Sequence, residues 1–155
     1  MRTLKGALLR VAYLLLASRR RLWQPVTLGV RVLLVREGQV LLVRHTYREG
    51  WFFPGGGLKR HETLEAAARR EAREEAGAVC DLLRLVGAYS NFAEARSDHV
   101  VLFICDSFHL VPNESAEIAD ARFFPMTALP PDVSASTHRR IQEYLASGPP
   151  RPGWW

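Results

Sequence analysis

Residues Gly56 to Ala78 read GGLKRHETLEAAARREAREEAGA, and this stretch decides the fold. Thr63 suits an N-cap, Glu65 suits a first helical turn, and Gly77 suits the position just past a helix end. Between them lies a run of Ala, Leu, Glu and Arg, so the sequence predicts a helix over 64–76. Glu71, Glu74 and Glu75 stand at i, i+3 and i+4 and therefore share a narrow arc of that helix. Like charges at such spacing repel by about 0.2–0.5 kcal/mol per pair, and a divalent cation would reverse the sign. An all-oxygen donor set suits Mg2+ or Mn2+ better than zinc, which prefers His and Cys. Leu64, Ala68, Ala72 and Ala76 recur at helical spacing and are expected on the opposite face, against a sheet. Upstream, Trp51-Phe52-Phe53-Pro54-Gly55-Gly56-Gly57 follows an apolar run. Glycines there permit close backbone approach and carbonyls turned toward a cation or phosphate. Trp51 and Phe52 are expected in the core rather than stacked on a ligand.

Gly56, Glu62, Arg70, Glu71, Glu74, Glu75 and Gly77 match, position by position, the pattern G-x5-E-x7-R-E-U-x-E-E-x-G-U, where U is bulky and apolar. The chain thus resembles the Nudix hydrolase family. The two U positions carry Ala72 and Ala78, apolar but small. A chance match of this length has a probability of roughly 10⁻⁶ over the chain. The resemblance implies an α/β fold, an α/β/α sandwich around a mixed sheet. It also implies divalent-metal-dependent hydrolysis of the pyrophosphate bond in a nucleoside diphosphate linked to another moiety. Glu74 and Glu75 become ligands of Mg2+ (or Mn2+), and Glu71 becomes a third ligand or the base that takes the proton of the attacking water. A carbonyl of Gly55 or Gly56 joins them. Glu117, ahead of Arg122-Phe123-Phe124-Pro125, is nominated as one more acidic ligand. Glu62 and Arg70 form a bracing ion pair and Gly77 ends the helix. Arg44, Arg48, Lys59 and Arg60 flank the loop and are candidates to clamp outer phosphates. No proline lies between Cys80 and Val111, and other subgroup marks are missing, so the substrate stays a nucleotide-type pyrophosphate. The alternative is a nucleotide-binding regulator without turnover, although every carboxylate of the pattern is retained.

The chain has 155 residues, 48% of them apolar, enough for one domain with a proper core. Its net charge of +5 fits an anionic substrate without ranking partners. Nucleic acid is not favoured, since no basic stripe is interleaved with aromatics. Cys80 and Cys105 sit in apolar runs with no metal-ligand spacing, which points to buried reduced thiols and the cytoplasm.

Three segments follow. Residues 1–24 are expected as an extra N-terminal amphipathic helix with Leu4, Leu8, Val11 and Leu15 on one stripe. Its apolar run, 4–16, is too short to span a bilayer. It would pack on the domain or on a homodimer partner, with peripheral contact of residues 1–23 at a membrane surface as the second reading. Residues 25–147 form the Nudix domain. Strands are expected at 26–35 and 39–44 around the turn Arg36-Glu37-Gly38, then at 79–89, 99–111 and 121–124, before a closing helix over 134–146 capped by Ser134. The run 99–111 is nearly all apolar and is expected at the centre of the sheet. Residues 148–155 form an extended Pro/Trp tail.

Overall fold

The computed structural model describes residues 26–92, 97–113, 115–147 and 153–155. The expected helix 1–24 lies outside the described residues. The described residues form eight strands and two helices: β1 Thr27–Arg36, β2 Gln39–His45, α1 Leu64–Ala76, β3 Ala78–Cys80, β4 Arg84–Asn91, β5 Asp98–Cys105, β6 Phe108–Leu110, β7 Ile118–Pro125, α2 Ala135–Leu145 and β8 Gly153–Trp154. Six strands make one mixed sheet in the order β7-β2-β1-β5-β4-β8, and β3 pairs with β6 apart from it. β1 runs parallel to β5 and antiparallel to β2.

Val30, Val32, Leu34, Leu41 and Val43 point to one side of the sheet and bury the alanines of α1. Leu33, Val35, Val40, Leu42, Leu102 and Ile104 point to the other, where Ile141 of α2 packs. Both faces are covered, which is why β1 and β5 read as unbroken apolar runs. β5 is central, as its composition requires.

The helix α1 has the expected bounds. Thr63 Oγ1 accepts from Ala66 N, and Gly77 is left-handed with φ 64°. Its faces differ from expectation, because Glu71 and Glu75 are buried beside Ala68, Ala72 and Ala76 rather than opposite them. At 3.6 residues per turn Ala68 lies only about 60° round from Glu71. The helix therefore presents alanines and carboxylates to the protein together. Ala72 and Ala78 are both fully buried, so small residues at the two bulky positions bring α1 and β3 close to their neighbours.

The long runs 79–89 and 99–111 each break in two. Asp81 N donates to Ser107 O, and Ser107 Oγ donates to Asp81 Oδ2 at 2.7 Å, so the two breaks lock each other. Polar residues at 81 and at 106–107 satisfy backbone groups that a continuous strand would have paired elsewhere. Of the expected extended tail, residues 148–152 lie outside the described residues. Gly153 and Trp154 add a short parallel strand to β4, and Trp155 packs on Tyr89 and Phe53. Among the described residues no helix is long and apolar enough to cross a membrane.

The sheet also contains a split that positions everything below. β1 pairs with β2 only from Leu34 to Arg36. Beyond that point the two strands part, and the segment 52–58 fills the gap. Phe52 exchanges both backbone bonds with Val43, while Val32 N donates to Pro54 O and Val30 N to Gly56 O.

Gly77→Ala tests the end of α1. A methyl group there would meet the Val111 carbonyl in a backbone conformation that L side chains rarely adopt. The variant should lose at least ~1 kcal/mol in urea unfolding; an unchanged midpoint and slope would contradict the cap.

Candidate active site

Glu75 is buried, and its Oε2 accepts from Gly55 N at 2.8 Å. Glu71 is equally buried and lies against Gly56 so closely that a Cβ on that residue would overlap its carboxylate. Gly55 approaches the Val30 carbonyl in the same way, with φ 145°. The glycine run is thus squeezed between β1 and the carboxylates of α1, and a side chain would force these apart. Burial pushes the Glu75 carboxyl up to about 7; the Gly55 N–H and Arg31 act against that, while Glu71 and Glu117 add to it.

Glu71, Glu74 and Glu75 line one cleft of about 440 Å³ with Asn113, Ser115 and Glu117. The loop carrying Glu117 is tied to β2 by Thr46 N, which donates to Glu117 O at 2.9 Å. The three box carboxylates and the nominated fourth are therefore brought to one place. His45, at the end of β2, shares it: its Nδ1 is 3.9 Å from Glu75 Oε1, buried and without a hydrogen-bond partner. Burial, then Arg31 and Arg48, pull its pKa down, so the ring is neutral near pH 7.

Arg70 does more than brace Glu62. Nε and Nη2 bond the two Glu62 oxygens at 2.7 and 2.9 Å, and Nη1 bonds Glu71 Oε1 at 2.6 Å and Glu74 Oε2 at 3.0 Å. The Glu62 carboxyl, held mainly by Arg70 and then by the Lys59 N–H, falls to about 2. Arg70 itself is raised above the ordinary arginine range by the same bonds.

Two of the expected phosphate clamps stand near this cluster. Lys59 Nζ is 3.6 Å from Glu74 Oε1, and Arg48 lies 4.2 Å over the Phe52 ring. Arg60 is exposed. Arg44 is on the other face of the sheet, bonded to Asp132 at 2.5 Å and stacked 4.7 Å over Trp51. Trp51 and Phe52 are both in the interior. Arg31, unnoticed in the sequence, replaces Arg44 as the arginine of interest. Burial pulls it below its usual range, and Glu75 and Glu71 pull it back, which places it within electrostatic reach of the cluster. The signal was available: a charge inside the apolar run of β1 needs a reason to be there.

Does this donor set fit a divalent cation? In kind it does. Two buried carboxylates, an exposed third, and glycine backbone pressed against them form an oxygen-rich, negatively charged cradle. Among the described residues, however, no three acidic, histidine or cysteine side chains are gathered tightly enough to hold a metal ion as they stand. The positive charge between Glu71 and Glu74 is the Arg70 guanidinium. Glu74, half exposed, has the freedom to turn.

Comparison with known proteins adds an independent line. The NUDIX domain profile matches residues 25–145. A protein named RNA pyrophosphohydrolase from Xanthomonas campestris pv. campestris (strain B100) is 45% identical over 61 residues, covering 39% of this chain. The match spans only 30% of that protein's length. Among solved structures, a MutT NUDIX hydrolase from Burkholderia pseudomallei superposes with a TM-score of 0.67 at 22% identity, covering 75% of this chain and 95% of that one. An ADP-ribose pyrophosphatase from Streptococcus suis 89-1591 gives 0.60 at 20% identity, covering 84% and 100%. At such identities these structures establish the fold alone.

The Glu75 shift has a testable sign. The unfolded carboxyl ionises near 4.5, whereas the folded one keeps its proton up to about 7. Folding therefore loses stability as pH rises through that window, and the loss is complete above it. Glu75→Gln cannot ionise, so in divalent-free buffer it should gain on the wild type between pH 4.5 and 7.5 by up to ~3 kcal/mol. Urea unfolding across that range checks this; a flat difference would contradict the burial argument.

Proposed function

Because the chain belongs to the NUDIX family, we propose that it is a divalent-metal-dependent pyrophosphohydrolase acting on a nucleoside diphosphate linked to another group. The observation that supports this most directly is the pair of buried carboxylates, Glu71 and Glu75, pressed against the Gly55-Gly56 backbone with Glu74 and Glu117 on the same cleft. Burying two acidic groups side by side destabilises the fold unless something positive offsets them. Such a cost is typical of sites kept for chemistry.

Glu71, Glu74, Glu75 and Glu117, with the carbonyl of Gly55 or Gly56, would hold Mg2+ or Mn2+. A bound divalent cation would offset the phosphate charge and make water more acidic. The chain's own residues supply the rest. Arg70, anchored on Glu62, fixes Glu71 from the side and also reaches the half-exposed Glu74, which keeps the freedom to turn. The glycine run leaves open the approach that a phosphate group needs. Arg31, Arg48 and Lys59 surround the approach with positive charge for the outer phosphates. Water attacks one phosphorus of the pyrophosphate, its proton passes to a carboxylate oxygen of the box, and the bridging P–O bond breaks as the other phosphate leaves. His45, neutral and 3.9 Å from Glu75, lies beside that carboxyl without bonding it.

The name borne by the Xanthomonas relative makes a triphosphorylated RNA end a rational member of the test panel, together with ADP-ribose, NADH, nucleoside triphosphates and dinucleoside polyphosphates. Phosphate or nucleotide release should require Mg2+ or Mn2+ and stop on chelation. Glu74→Gln and Glu75→Gln should each lower kcat on the order of 100-fold or more. Either variant turning over at the wild-type rate would refute the cation site. Nucleotide binding with no turnover on any panel member would favour the regulator reading.

A further inference from the structure

On the α2 side of the sheet lies a second cavity of about 540 Å³, a volume suited to a small ligand. One rim is Gly56 and Gly57, which back onto the carboxylate cleft; the other is Trp155. Between the rims the cavity crosses β1 at Arg31 and β5 at His99. Trp155 follows β8, the strand beyond β4, and its ring reaches back to Tyr89 and to Phe53, just upstream of the glycine run. The cavity thus borders both the glycine run and Trp155.

Its lining is mixed. Arg31, Arg48 and Arg139 supply cations, whereas the one acidic side chain among the described residues of the lining, Asp98, accepts the Thr27 hydroxyl. Phe52 and Trp155 supply aromatic surface. A ligand that is anionic along its length and flat and apolar at one end matches this lining. A nucleoside with its 5′ phosphates is such a ligand.

Trp155, just past β8, is held by several contacts. Its backbone N donates to Ser90 O at 2.9 Å. Its ring tilts against Tyr89 with centroids 5.7 Å apart and meets Phe53 edge-on at 6.5 Å. Its carbonyl accepts from Arg139 Nη1 at 3.1 Å, so the tail also positions one of the cavity's cations. Trp154 is different: 64% exposed, it turns to Phe92 and does not line the cavity.

We propose that Trp155 is the end wall of the subsite for the nucleoside half of the substrate, and so a specificity-determining residue contributed by the tail. This rests on the pyrophosphohydrolase reading above, which supplies the substrate's other half. The base rests on the apolar surface of Trp155, and the sugar and phosphates run back across β5 and β1 to the glycine loop.

The test uses the full chain with ADP, GDP and inorganic pyrophosphate as probes, affinities being measured by calorimetry in the presence of Mg2+. The wild type should bind ADP or GDP about tenfold or more tightly than pyrophosphate, as stacking of a base on an aromatic ring provides. Trp155→Ala should lose that preference while binding pyrophosphate as before. Trp155→Phe should restore most of it, and Trp154→Ala should match the wild type. Should the Ala variant fail a thermal melt, fluorescence decides: nucleotide quenching of tryptophan emission should shrink in Trp155→Phe and persist in Trp154→Phe. A folded Trp155→Ala with an unchanged nucleotide preference, or quenching indifferent to Trp155→Phe, overturns the wall. Nucleotide binding that depends on Trp155 without hydrolysis of any panel substrate overturns the hydrolase reading instead.

Discussion

Two carboxylates buried against a glycine backbone are the constraint from which the rest of this structure follows. Glu71 and Glu75 are taken from water by the same helix face that buries Ala68 and Ala72. Alanine is what makes this possible: a larger residue would lift α1 from the sheet and let solvent reach the acids. Glycine is required on the other side, since a Cβ at Gly56 would strike Glu71 and one at Gly55 would strike β1. The helix, the split in the sheet and the glycine run are thus three parts of one fit. The cost of ionising Glu75 in that space shows in its carboxyl, pushed up to about 7.

Positive charge is arranged around this pair in two ways. Arg70 is a fixed counter-charge, forked onto Glu62 and reaching Glu71 and Glu74 with its remaining nitrogen. Its five donors in one plane suit that double task, which a lysine could not perform. Arg31 approaches from the other face of the sheet and is partly stripped of water, so its field acts on Glu71 and Glu75 with little screening. Neither arginine closes the cleft, which among the described residues remains lined by Glu71, Glu74, Glu75 and Glu117.

What was legible in the sequence was what local chemistry encodes. Thr63 and Gly77 bound α1 to the residue, because a cap hydroxyl and a left-handed glycine act on their immediate neighbours. The apolar continuity of β5 announced a strand covered on both faces. The breaks at 81 and 106–107 were hidden, since each is stabilised by the other across 26 residues. The site divides along the same line. Glu71, Glu74, Glu75, Glu62 and Arg70 follow from spacing within one helix. Arg31 and His45 lie on strands, where only the register and the parity of the pleat determine which face a side chain serves. Parity also separates Arg44 from the cleft: His45 beside it faces Glu75, and Arg44 faces Trp51. The helix-face assignment failed for a simpler reason, since Glu71 and Ala68 are neighbours on any helical wheel.

A continuous sheet would separate the α1 face from the α2 face by a layer of paired backbone. Here β1 and β2 part, and the segment 52–58, with Gly55, Gly56 and Gly57 in succession, pairs with both and fills the opening. Gly56 touches Glu71 on one side and lines the second cavity on the other. On the proposed hydrolase reading, the acidic cluster and the cationic lining would meet at this run. On the hydrolase reading the reacting phosphate must lie at the glycine run and the remainder of the substrate must extend away from it. The run is then more than a turn between strand and helix: its backbone borders both the carboxylates and the second cavity.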